Sequence, residues 1–173
     1  RLSAGRSGTE QGIAANVDRL LICTGLDRDF NPHRVERYLS IAHAGGVAPI
    51  IVLTKSDVCA DVNAKSATID AIAGGAQILA TSAQSGDGIA GIAAEMRPGR
   101  TIALVGSSGV GKSTLINALF GRETMKTGAV REHDQRGRHT TTHRQLLLLP
   151  GGGLLIDTPG MREIQLPADA TPV

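Results

Sequence analysis

Short apolar runs alternate with stretches of helical spacing through most of the chain. "RLLICT" (19–24) and "APIIVLT" (48–54) are continuous apolar runs of strand length. Between them, "PHRVERYLSIAHAGG" places Val35, Leu39 and Ala42 at helical spacing, with Pro32 at its start and Gly45 at its end. That is one strand, helix, strand unit. An Ala-rich helix is predicted near 63–73, a strand in "AQILATSA", a short helix near 88–96, and a strand "TIALVGSS" running into the helix "GKSTLINALFG". Strands joined by helices imply a parallel sheet covered on both faces. "RQLLLLP" and "GLLIDTPG" then resume as strands, and Pro150 with Gly151 to Gly153 turns "LLLLPGGGLLI" into a predicted hairpin. The predicted fold class is α/β, three layers around a mostly parallel sheet.

Two stretches break the pattern. Residues 1–15, "RLSAGRSGTEQGIAA", have no sustained period and are read as a linker entering the domain. After Gly121 the period is lost for about twenty residues, a long polar loop of the kind that is usually functional. That loop carries Arg122, Lys126, Arg131, Arg136, Arg138 and Arg144 against Glu123, Glu132 and Asp134, and also holds His133, His139 and His143.

At 173 residues the chain suits one well-cored domain. With 41% hydrophobic and 20% charged residues and no apolar run near a membrane span, a soluble protein without a membrane partner is expected. A net charge of +2 and 2% aromatics do not by themselves argue for nucleic-acid binding. Cys23 and Cys59 sit in unrelated contexts without metal-ligand spacing, and are expected to be reduced, buried thiols in a cytoplasmic protein. Arg1 is not an initiator residue and no signal region follows it, so the chain is expected to be a piece of something larger.

"GSSGVGKST", Gly106, Ser107, Ser108, Gly109, Val110, Gly111, Lys112, Ser113 and Thr114, fits the phosphate-loop pattern at a strand-to-helix junction. Glycines let the backbone turn successive N–H groups inward onto phosphate oxygens, and the following helix offers its positive end to the same anion. Lys112 is expected on the β and γ phosphates and Ser113 on Mg²⁺. Asp157 and Gly160 in "LLIDTPG" supply an Asp-x-x-Gly at a strand end, expected near Mg²⁺ and the γ phosphate. In "RHTTTHR" one of Thr140, Thr141 and Thr142 is the expected first-switch ligand to the metal, the later two favoured by their closeness to the next strand.

These motifs suit an ATPase as well as a GTPase. Nucleotide identity rests on "TKSD", Thr54, Lys55, Ser56 and Asp57, and on "TSA", where Ser82 and Ala83 follow Thr81. Asp57 would accept from the guanine N1–H and 2-amino groups, which adenine lacks, and an unpaired site carboxylate gives strong discrimination. Lys55 would lie on the base face, and the Ala83 N–H would meet the base oxygen. In a GTPase of ordinary order these motifs follow the phosphate loop; here "TKSD" comes about fifty residues before it. Cutting such a domain ahead of its fourth strand and joining the old ends yields the order seen, a permutation that is tolerated where termini lie close.

With "AANVDRLLICTGLDRDFNPHRVERYL", "TKSD", "TSAQSGDGI", "GSSGVGKSTLINAL", "GRHTTTHRQL" and "LIDTPGMREIQL", the chain resembles the circularly permuted bacterial ribosome small subunit-dependent GTPases over residues from about 14 to 166. The resemblance implies a P-loop GTPase domain over 16–166, with GTP/GDP and Mg²⁺ as ligands. It implies GTP hydrolysis stimulated by the small (30S) ribosomal subunit in late maturation of that subunit, and contact with its rRNA. Members usually carry an N-terminal OB-fold and a C-terminal zinc-binding domain. Residues 1–15 would then be the linker from the first and 167–173 the start of the second or a linker to it, with zinc expected only there. A monomer is the expected state.

Three positions depart from the usual pattern. Thr54 replaces the commoner Asn, Gly109 stands where some potassium-dependent GTPases have Asn, and Met161 follows Gly160 where Ras-type GTPases place the water-orienting Gln. No potassium activation by that route and slow intrinsic hydrolysis are therefore expected. His139 or His143, brought in by the ribosome, would supply the missing group, and the cationic loop, Arg136 and Arg138 included, would meet rRNA phosphates. The alternatives are a nucleotide-operated switch with negligible turnover and a P-loop ATPase.

Overall fold

The computed structural model describes residues 2–4, 11–121 and 145–158. Strands β1 (Leu2–Ala4) and β2 (Gln11–Ala14) pair antiparallel in a small sheet of their own. The stretch read as an irregular linker thus contains paired strands, and β1 lies beside the first helix. Its small residues and glycines hide the period-two alternation on which such a reading depends.

Beyond it, β3 (Arg19–Gly25) and β4 (Ala48–Thr54) run parallel, paired from Arg19 against Ala48 to Gly25 against Thr54. Helix α1 (Pro32–Ala44) connects them. The Asn31 side chain caps it, accepting from the Arg34 N–H at 3.0 Å, and Pro32 fills the first turn, where its missing N–H leaves nothing unpaired. Helix α2 (Val62–Asp70), capped by Asp61 through the Ala64 N–H at 2.8 Å, leads to β5 (Gln77–Ala80). Helix α3 (Ile89–Ala93) leads to β6 (Thr101–Gly106), which is followed by α4 (Lys112–Phe120). The hairpin expected at Pro150 is formed by β7 (Gln145–Leu148) and β8 (Leu154–Asp157), closed by the Leu149 N–H on the Gly153 carbonyl.

Two helices are shorter than their sequence suggests, and for one reason. Past Asp70 and past Ala93 the chain keeps coiling through i to i−3 bonds, Ala73 N–H to Asp70 and Met96 N–H to Ala93, so the apolar spacing outlasts the α-helix.

The six-stranded sheet has the order β5-β4-β3-β6-β8-β7, parallel throughout except for the edge strand β7. Alternation along the central strands sorts side chains into two cores. Leu20 and Ile22 of β3, Ile51 and Leu53 of β4, and Ala103 and Val105 of β6 pack with Val35, Leu39 and Ala42 of α1 and Ile69 of α2. Leu21, Cys23, Ile50, Val52, Ile102 and Leu104 face the other way, onto Ile92 of α3 and Leu115 and Ile116 of α4. This is why those strands read as unbroken apolar runs: both faces are covered. Among the described residues no helix is long and apolar enough to cross a membrane.

The central position of β3 sets the stability of the whole. Ile22 is wholly buried between β4 and β6, and Ile22→Ala is expected to cost about 2 to 5 kcal/mol, measured as a lowered midpoint in urea unfolding.

Candidate functional site

The carboxyl ends of β4, β3, β6 and β8 lie side by side, and the sequence motifs sit on the loops that leave them. β6 ends at Gly106, and residues 107–111 pass directly into α4. A side chain at Gly106 would place its Cβ 2.7 Å from the Cys23 carbonyl oxygen, so only glycine lets the loop start this close to β3. Leu115 and Ile116 anchor α4 to the sheet behind the loop.

Lys112 folds back under its own loop. Its Nζ donates to the carbonyls of Gly106 at 2.8 Å and Ser107 at 2.9 Å, and the residue is only 8% exposed. Burial pushes its amine below the usual lysine range, an effect that nearby Cys23 and Asp157 oppose. A phosphate at this point would restore the preference for the charged form.

"TKSD" meets the loop from β4. The Thr54 hydroxyl donates to the Val110 carbonyl at 2.6 Å and lies 3.3 Å from the Thr24 carbonyl, buried. The hydroxyl thus ties strand β4 to the phosphate loop, where the motif alone suggests a base contact. Lys55 adopts the left-handed conformation, φ 60° and ψ 41°, and its Nζ donates to the Gly109 carbonyl at 2.7 Å and to Asp27 at 2.6 Å. The Ser56 N–H donates to the Thr81 carbonyl, joining "TKSD" to "TSA". The Ser82 hydroxyl accepts from the N–H groups of Gln84 and Ser85, so it shapes the turn on which Ala83 sits.

An open cavity of about 240 Å³ lies where these loops meet, lined among others by Lys55, Asp57, Ala83, Gln84, Gly111 and Thr114. Residues far apart in the chain therefore line one space, the expected base readers together with residues of the phosphate loop and the start of α4. Asp57 is exposed at its edge.

Asp157, 1% exposed, ends β8 opposite Leu104 of β6, and Ser113 occupies the first turn of α4. A carboxylate and a hydroxyl are hard oxygen donors of the kind that suit Mg²⁺, so the residues present fit that ion. Thr140, Thr141, Thr142, His139, His143, Gly160 and Met161 lie outside the described residues. So do Arg136 and Arg138.

Three contacts went unread in the sequence. Asp27 holds Lys55, Arg34 Nη1 donates to the Ser107 hydroxyl at 3.0 Å, and the buried Thr158 hydroxyl donates to the Leu104 carbonyl at 2.6 Å. A usable signal existed for the first two, since "LDRDFNPHR" leaves the end of β3, which the parallel order places at the same rim as the phosphate loop.

A parallel sheet of this order, with the base motif and "TSA" ahead of the phosphate loop in the chain, is a circularly permuted GTPase fold. The chain belongs to the RsgA GTPase family, whose family model matches residues 1–167. It is 53% identical over 166 residues to a small ribosomal subunit biogenesis GTPase RsgA of Xylella fastidiosa (strain 9a5c), covering 95% of this chain and 49% of that one. The crystal structure of YjeQ from Thermotoga maritima superposes with a TM-score of 0.61 at 26% identity, over 84% of this chain and 48% of the other. The crystal structure of YloQ, described as a circularly permuted GTPase, gives a TM-score of 0.59 at 26% identity, over 87% and 47%. The chain thus spans about half the length of the curated relatives it matches.

The thiols divide the site from its surroundings. Cys23, buried directly beneath Gly106, has its pKa pushed up to about 12 by burial, whereas Cys59 is only half-buried, not the buried thiol its composition suggested. A thiol reagent at pH 8 is expected to label Cys59 in the folded chain and Cys23 only in denaturant, as peptide mapping would show.

Proposed function

We propose that this chain binds GTP and GDP with Mg²⁺ and hydrolyses GTP, as the nucleotide domain of a protein that acts in maturation of the small ribosomal subunit. The single observation that carries this is the cavity in which Asp57 and Ala83 meet Gly111 and Thr114 of the phosphate loop. In this reading Asp57 accepts from the guanine N1–H and 2-amino groups, Lys55 lies along the base, and Ala83 offers its N–H to the base oxygen. The loop N–H groups of residues 107–114 and the buried Lys112 hold the β and γ phosphates. Ser113, Asp157 and one of Thr140, Thr141 and Thr142 would hold Mg²⁺, which offsets charge on the phosphate oxygens. The reaction is in-line attack of water on the γ phosphate, with Gly160 near that phosphate.

Turnover in isolation is slow in this reading, because Met161 cannot accept a hydrogen bond from water. The small subunit supplies what is missing, through His139 or His143, while Arg136 and Arg138 meet rRNA phosphates. Such a partner places the protein in the cytoplasm, and the chain works as a monomer. Zinc belongs to a further domain of the kind the family resemblance implies. The same Met161 favours a second reading, a GTP-operated switch with negligible turnover. Phosphate release measured with and without small subunits separates the two: stimulation of about tenfold or more supports the enzyme, and none supports the switch.

Competition of ATP and GTP against a fluescent guanine nucleotide tests the base assignment. GTP is expected to compete at least about a hundredfold better than ATP, and comparable affinities would overturn the assignment. Asp57→Asn is expected to weaken GTP and shift preference toward xanthine nucleotide, whose 2-oxo group accepts where guanine donates.

A further inference from the structure

Asp27 has no counterpart among the residues read from motifs, yet it makes the shortest contact to Lys55. Its Oδ2 lies 2.6 Å from Lys55 Nζ, and the two side chains are each 28% exposed. Its other oxygen accepts from the Asp29 N–H at 3.0 Å, and the Asp27 carbonyl from the Phe30 N–H at 3.3 Å. The carboxylate therefore belongs to a turn that it helps to shape.

That turn is held from both sides. The Leu26 N–H donates to the Thr54 carbonyl at 2.9 Å, and Lys65 of α2 donates to the Leu26 carbonyl at 2.6 Å while lying 5.1 Å over the Phe30 ring. Gly25 leaves room for the carboxylate: a Cβ there would stand 2.7 Å from Asp27 Oδ1, with no unusual backbone angle to account for the glycine otherwise.

Lysine is a long, flexible point charge, and its stem makes a firm wall only when the ammonium is fixed at the far end. Lys55 Cε runs 3.9 Å from the Cβ position of Gly111, so the stem crosses the phosphate loop beside the cavity. Left with the Gly109 carbonyl alone, an ammonium here would be drawn to any bound phosphate. A carboxylate partner at 2.6 Å competes with that pull.

We propose that Asp27 is a positioning residue of the base pocket: its carboxylate anchors Lys55 away from the phosphates, so that the lysine stem lies as a fixed surface against a purine ring. The inference rests on the reading of Lys55 and Asp57 as base contacts. Burial alone would raise the Asp27 pKa, but the Lys55 hydrogen bond and the Asp29 N–H hold it below the usual carboxylate value, so the anchor is charged at neutral pH.

The test is a double-mutant cycle on the whole chain, reading affinities for fluorescent GDP and ADP analogues. Asp27→Asn keeps the size and one acceptor for the Asp29 N–H, so the turn is kept while the charge is lost. It is expected to weaken GDP binding about fivefold to twentyfold, with the melting temperature of the nucleotide-free chain unchanged. In a Lys55→Ala background the same substitution is expected to have no further effect. An unchanged GDP affinity in Asp27→Asn overturns the proposal, and so does an equal loss in both backgrounds. A chain that binds ADP as tightly as GDP overturns the base reading itself, a result distinct from the other two.

Discussion

Four carbonyl oxygens of the phosphate loop are held by side-chain donors, and the rest of the site depends on this. Gly106 and Ser107 offer theirs to Lys112, Gly109 to Lys55, and Val110 to the Thr54 hydroxyl. In a trans peptide the carbonyl and the next N–H point in opposite directions. Fixing the Gly109 and Val110 carbonyls on Lys55 and Thr54 therefore turns the N–H groups of residues 110 and 111 the opposite way, where an anion can collect them. The loop is thus shaped by its own Lys112 and by two donors from the end of β4, not by its glycines alone.

This explains why chain order is free to vary while the site is not. What the donors require is that β4 lie one strand away from β6, with β3 between them, a property of the sheet order. A cut elsewhere in the chain leaves every one of these bonds in place. The motifs were accordingly legible from residue type and spacing, even though their order was unusual. The strands and helices were equally legible, because burial on both faces leaves long apolar runs and the helices keep a clear period.

What was not legible depends on contacts between distant segments. Asp27 and Arg34 look like ordinary polar residues around a helix start until the sheet places them beside "TKSD" and the phosphate loop. Thr158 reads as one more letter of "DTPG" until its hydroxyl is found on the Leu104 carbonyl. By its place in the motif Thr54 stands in for a base-facing amide, whereas its hydroxyl bonds a loop carbonyl and is buried. The paired strands near the N-terminus escaped for another reason, since at three and four residues each they are too short to show an alternation.

The pairing of β3 has a consequence for the order in which the chain assembles. Its partner on one side, β4, follows within thirty residues or so, but its partner on the other, β6, comes about eighty residues later, with Leu21 against Leu104. A chain made from its N-terminus therefore completes β3, α1, β4, α2 and β5 first, as a half-sheet whose β3 edge is apolar and unpaired. The later strands close that edge and deliver the phosphate loop in the same step. Sealing the sheet and creating the anion site are one event, so a nascent chain cannot hold nucleotide phosphate before its exposed edge is covered.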